Sequence, residues 1–147
     1  MTIKEECGNM FTVPQGYYLA HCISGDYSLG AGIAKQFDDV YNMRFKLHKQ
    51  YPIPYGKKCA NTGMALLVDN VFNLVTKDRT FQKPTYETLS DALEDMKVQC
   101  EAFDITKIAM PHIGCGLDGL DWYYVRNLIE EVFGDTNIDI LICDVAR

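Results

Sequence analysis

Residues 85–143, TYETLSDALEDMKVQCEAFDITKIAMPHIGCGLDGLDWYYVRNLIEEVFGDTNIDILIC, decide the fold. Thr85 follows Pro84 and suits a helix N-cap. Behind it, Leu89, Leu93, Met96, Cys100 and Phe103 recur at helical spacing and form one apolar face. Lys107 to Pro111 reads as a buried strand that runs into the loop Gly114-Cys-Gly-Leu-Asp-Gly. Asp121 can cap a second helix, whose Val125, Leu128, Ile129, Val132 and Phe133 face a core, and Ile138 to Cys143 is an almost wholly apolar strand. Upstream, Tyr17 to Ser24 has the composition of a central strand, and a glycine-bearing loop then leads into a helix beginning near Gly30. Asn42 to Gln50 reads as a further helix, stopped by Pro52 and Pro54. Met64 to Val68 and Val71 to Thr76 form a hairpin about Asp69-Asn70. Strands alternating with helices, plus one hairpin, predict an α/β layered fold with a mixed sheet.

The chain has 147 residues, which predicts one domain spanning 1–147, with no repeat or linker to divide it. Fourteen Lys and Arg against twenty Asp and Glu give a net charge of −6, which argues against attachment to nucleic acid or membrane by bulk charge. A local pocket for a small anion is compatible with that balance. The opening residues, MTIKEECGNMF, carry acidic side chains and no apolar h-region, so no secretory signal is expected. No apolar run reaches the roughly 18–20 residues of a membrane span. The six cysteines (Cys7, Cys22, Cys59, Cys100, Cys115 and Cys143) include no CxxC pair, which points to reduced thiols in a cytoplasmic protein without a structural metal.

Three segments that follow strands carry chemistry. Gly30-Ala31-Gly32 stands at a helix start, where free N–H groups and the helix dipole favour an anion; the same residues also suit a plain turn. Gly114-Cys115-Gly116-Leu117-Asp118-Gly119 offers a flexible backbone around one carboxylate, which either projects into a site or stabilises a turn. Lys77 ends a strand; solvated it is unremarkable, whereas burial in a cleft would lower its pKa and free an amine for attack on an aldehyde-like carbon. His21 lies inside an apolar strand and suits a hydrogen-bonded core residue. A Cys/His dyad drawn from Cys22 or Cys115 with His21 or His112 lacks any local signature.

Together, LAHCISGDYSLGAGIA at 19–34, LVTKDRTFQKPTYETL at 74–89 and MPHIGCGLDGLDW at 110–122 closely resemble the macrodomain family, and within it the terminal ADP-ribose protein glycohydrolase branch. The likeness runs in register from about Cys7 to Cys143. It implies a three-layer α/β/α sandwich with a mixed six-stranded sheet and an ADP-ribose cleft at the strand ends. It further implies removal of single ADP-ribose units from acidic side chains, with Lys77 as the nucleophile and Asp118 as the general base. No metal or cofactor is implied, and the chain is expected to be a monomer.

The implied ADP-ribose contacts are Asn9 and Met10 after the first strand, His21, Ser24 and Thr76 along the cleft, and Leu29 with Gly30, Ala31, Gly32 and Ile33. Pro111, Ile113, Gly114, Cys115, Gly116 and Leu117 complete them. Two residues depart from the family pattern. Asn9 replaces an aspartate that accepts a hydrogen bond from the adenine amino group, and losing charge assistance there weakens that bond by about 1 kcal/mol. His112 stands where the branch has arginine. If Cys115 is exposed beside the loop amides, its pKa is expected to fall and alkylation to inhibit. Mono-ADP-ribosylated protein is the expected partner, with ADP-ribosylated DNA or RNA also open. The alternatives are a reader module that binds ADP-ribose without turnover, and an O-acetyl-ADP-ribose deacetylase.

Overall fold

The computed structural model describes residues 1–144, apart from the side chains of Glu6, Cys7 and Asp144. In chain order the elements are β1 (Thr2–Asn9), a 3-10 turn (Met10–Thr12), β2 (Tyr18–Ser24), α1 (Gly32–Tyr41), α2 (Met43–Gln50), β3 (Met64–Val68) and β4 (Val71–Lys77). They continue with α3 (Tyr86–Phe103), β5 (Lys107–Met110), α4 (Trp122–Phe133) and β6 (Asp139–Asp144). The strands form one sheet in the order β1-β6-β5-β2-β4-β3. Every neighbouring pair is parallel except β3 with β4, which are antiparallel and joined through Asp69-Asn70 with Asp69 at φ 54°.

Alternate residues of each central strand feed opposite faces of the sheet. Ala20, Phe72, Leu74, Ile108 and Ile140 pack under α3 and α4 with Leu89, Leu93, Met96, Val125 and Ile129. Leu19, Val71, Val75, Ala109 and Leu141 pack on the other face with Phe37, Met43 and Leu47 from α1 and α2. The result is the expected three-layer sandwich. None of the helices among the described residues is long and apolar enough to cross a membrane.

Local rules explain the helix ends. Thr85 accepts from the Thr88 N–H while the Thr88 hydroxyl accepts from the Thr85 N–H, a closed capping box at the start of α3. Asp121 accepts from the Tyr123 N–H at the start of α4. Asn42 is not the first residue of a helix, as its sequence context suggests. It adopts φ 54° and its N–H bonds to Asp38 O, ending α1 and turning the chain into α2. Phe103, expected on the buried face of α3, is 64% exposed because the helix stops there, with Asp104 already left-handed.

Candidate active site

Strands β4 and β5 flank β2 and run parallel to it, so all three carboxyl ends open at one edge of the sheet. Lys77 is the last residue of β4. Asp118 lies in the loop after β5 that leads to the Asp121 cap of α4. The topology brings the two together over the end of β2, with Lys77 Nζ 2.8 Å from Asp118 Oδ1 and both side chains largely buried. They share a cleft of about 470 Å³ with Ser24 of β2, Leu29 to Ile33 of the first loop and helix α1, and Pro111, Ile113, Gly114, Gly116 and Leu117 of the second loop.

The start of α1 faces this cleft with no side-chain cap: its N-cap is Ala31. In α3 and α4 a hydroxyl or carboxylate takes up the first N–H groups, whereas here they remain available to an anion, with the helix dipole behind them. Gly32 is favoured by its left-handed backbone. It sits at φ +61°, and a Cβ there would lie 3.3 Å from Leu117 Cδ1, so the two loops touch across the cleft. The Lys83 ammonium donates to the Leu117 carbonyl and ties the second loop to the segment that follows Lys77.

Cys22 lies on the cleft floor. Burial pushes its thiol up to about 12, and the nearby Asp118 charge adds to the rise. Cys115 also departs from expectation. Burial, then the charge of Asp121, raises its thiol to about 11, while Sγ donates to the Ile113 carbonyl. Relative to the ordinary value of 9.0 its thiolate population is lower by about a hundredfold. Iodoacetamide at neutral pH should therefore modify Cys115 about a hundred times more slowly than an unperturbed thiol. Mass spectrometry of the Cys115 peptide checks this, and modification at the unperturbed rate would contradict it.

Several residues expected at the ligand do not line the cleft. His21 is fully buried, stacked on Phe37 with ring centroids 3.9 Å apart, and its Nε2 is 2.6 Å from Asn73 Oδ1. The Asn73 amide donates to the Leu66 carbonyl, which turns Oδ1 toward the imidazole and makes Nε2 the donor. His21 is therefore the hydrogen-bonded core residue that its strand context suggested. Met10 and Thr76 are buried at 0% and 1% exposure because both belong to the packed interior. Asn9 caps the short 3-10 turn, its Oδ1 accepting from the Phe11 N–H, and lies outside the cleft lining.

The lining also includes residues the sequence reading did not single out as contacts: Gln36, Thr80, Lys83 and His112. Gln36 is one helical turn beyond Gly32, a spacing that could have identified it. His112 stands at the lip, edge-on to Trp122 at 4.5 Å and with Nε2 3.5 Å from Glu5 Oε1. Glu5 in turn accepts from Trp122 Nε1 and from Arg126. Only the fold brings β1 and α4 together in this way.

A family model for the Macro domain matches residues 21–129. Human ADP-ribose glycohydrolase OARD1 is 40% identical over 139 residues, covering 92% of this chain and 86% of that protein. An uncharacterised protein, 032R, of Invertebrate iridescent virus 6 is 32% identical over 94 residues, 63% of this chain and 94% of that protein. Among solved structures, the macrodomain of Mycobacterium tuberculosis DarG superposes with a TM-score of 0.82 at 21% identity, covering 99% of both chains. Thermosipho africanus DarTG in complex with ADP-ribose superposes with a TM-score of 0.71 at 20% identity, covering 97% of this chain and 41% of that one.

Proposed function

The chain belongs to the macrodomain family, and from that premise we propose that it is an ADP-ribosyl glycohydrolase whose cleft holds ADP-ribose and whose Lys77 and Asp118 cleave it from acidic side chains. The observation that carries this reading is the Lys77–Asp118 contact of 2.8 Å inside the cleft. Binding alone has no use for an amine held against a carboxylate at the cleft floor. The uncapped start of α1 and the second glycine loop would hold the diphosphate through backbone N–H groups. The 40% identity to a protein named ADP-ribose glycohydrolase supports the same reaction.

In this mechanism Lys77 passes a proton to Asp118 and its Nζ attacks the anomeric carbon of the distal ribose. The bond from that carbon to the acyl oxygen breaks, and the carboxylate leaves with the electron pair. Asp118 gives that first proton up to solvent as the carboxylate departs, and the regenerated carboxylate then takes a proton from water, whose oxygen attacks the same carbon. The C–N bond breaks, the proton returns to Lys77, and free ADP-ribose departs. No metal or cofactor enters either step.

Incubation with glutamate-linked mono-ADP-ribosylated protein tests the proposal, with calorimetry of ADP-ribose binding in parallel. Binding together with release of free ADP-ribose is the expected result. Tight binding without release from protein, from ADP-ribosylated DNA or from O-acetyl-ADP-ribose would identify a reader instead.

A further inference from the structure

Asp26 belongs to neither catalytic pair nor glycine motif, yet its carboxylate joins the two sides of the cleft. Oδ1 accepts from the Ser24 hydroxyl at 2.6 Å and from the Ser28 N–H at 3.2 Å, and Oδ2 accepts from the Thr80 N–H at 3.1 Å. The first two partners lie in the strand end and loop that lead to Gly30–Ile33, and the third lies three residues beyond Lys77. The backbone repeats the connection, with Gly25 N–H donating to Lys77 O at 2.8 Å and Asp26 N–H to Asp78 O at 3.1 Å. On its other side Gly25 must be glycine because the 59–60 segment packs against it: Ala60 N–H donates to the Gly25 carbonyl at 2.9 Å, and a Cβ on Gly25 would fall 2.5 Å from the Ala60 carbonyl oxygen.

The loop so held is strained. Tyr27 and Leu29 adopt φ of 55° and 43°, left-handed values that bulky side chains rarely take, and Ser28 lies between them. Tyr27 is anchored by its hydroxyl on the Tyr51 carbonyl at 2.9 Å, while Ser28 is anchored by Asp26. We propose that Asp26 is a positioning residue, fixing the anion-binding loop at 28–33 to the segment 77–80 and so setting Lys77 against Asp118. The proposal rests on the glycohydrolase reading for its effect on turnover, and on geometry alone for its effect on Lys77. Burial on its own would raise the Asp26 pKa, but the hydrogen bonds from Ser24, Thr80 and Ser28, with the Arg79 charge, outweigh it and hold the carboxyl below its ordinary range. The site is thus built for the ionised form.

Asp26→Asn separates the three bonds. With the amide oxygen kept toward Ser24 and Ser28, the amide nitrogen opposes the Thr80 N–H, donor against donor. Thr80→Pro removes the same bond from the other side, at the second position of the turn closed by Gln82 N–H on Arg79 O, where proline is tolerated. Asp39→Asn, on the exposed Lys35–Asp39 pair of α1, controls for loss of a carboxylate.

Two readouts are needed. Turnover of glutamate-linked substrate should fall by roughly tenfold or more in Asp26→Asn and Thr80→Pro, while KM and calorimetric ADP-ribose affinity change by less than about threefold. Acetylation of Lys77 in the free protein, scaled to exposed Lys49 and Lys57, should rise severalfold in both variants and stay unchanged in Asp39→Asn. Wild-type Lys77 acetylation in both variants would overturn the proposal. So would turnover within twofold of wild type, or a fall in turnover matched by an equal loss of ADP-ribose affinity. Absence of release by the wild-type protein strikes the glycohydrolase reading instead, and the acetylation ratio still decides the placement of Lys77.

Discussion

Replacing Lys77 by alanine is expected to lower release of ADP-ribose from a glutamate-linked substrate by at least about a thousandfold while leaving ADP-ribose binding largely intact. The asymmetry follows from geometry. Lys77 meets Asp118 on the cleft floor, whereas the groups suited to the diphosphate are backbone amides of the two glycine-rich loops. Removing the amine takes away the atom that forms the new bond and leaves those amides in place. The Lys77→Ala change also leaves Asp118 without its partner, but at 17% side-chain exposure that carboxylate retains access to water. Measuring release and calorimetric affinity on one preparation checks both halves of the expectation. Turnover within tenfold of wild type would remove Lys77 from the reaction.

Acid should destabilise the fold through His21. Burial, opposed in part by the hydrogen bond to Asn73, lowers its pKa from 6.5 to about 4. The unfolded chain therefore takes up a proton as pH falls below about 6.5, and the folded chain does so only near 4. Between those values the unfolded state binds more protons, so stability declines as pH falls, and below about 4 this contribution stops changing. Across the window the loss is about 3 kcal/mol, from a shift of roughly two and a half units at about 1.4 kcal/mol each. Urea unfolding of wild type and His21→Phe at pH 7 and pH 4 isolates the effect. The variant starts less stable, because Asn73 loses its partner, but its decline with acid should be smaller by about 3 kcal/mol. Equal declines in both proteins would show that His21 is not the group responsible.

The central elements could be read from the sequence because their side chains face two apolar layers, so β2, β4, β5 and β6 announce themselves as apolar runs. The residues at 2–9, TIKEECGN, carry no such run and pair on one side only, with β6 at the edge of the sheet. Nothing in their local pattern distinguishes them from a polar loop. Phe103 was misplaced because periodicity does not say where a face ends; Asp104, left-handed at φ 55°, ends it.

At the site, the glycine loops, Lys77 and Asp118 were legible because their residue types are unusual after strands, and because three motifs together resemble one family. His21, Met10, Thr76 and Cys115 were harder, since a polar or small residue beside a motif can face either the cleft or the core. Burial decides between these, and for His21 it depends on Phe37 and Asn73, which come from α1 and β4. The Asp26 bond to Thr80 spans 54 residues, and the Glu5 contacts with Trp122 and Arg126 span more than 110. No local pattern encodes contacts of that range.

The most direct test of the mechanism is to trap the covalent step. Asp118→Ala should form the bond between Lys77 and the distal ribose slowly and resolve it more slowly still, so adduct accumulates on incubation with glutamate-linked substrate. Reduction with cyanoborohydride followed by peptide mass spectrometry should find ADP-ribose on the peptide containing Lys77 and on no other lysine. An adduct spread over exposed lysines, or release of ADP-ribose by Lys77→Ala at the wild-type rate, would contradict the account.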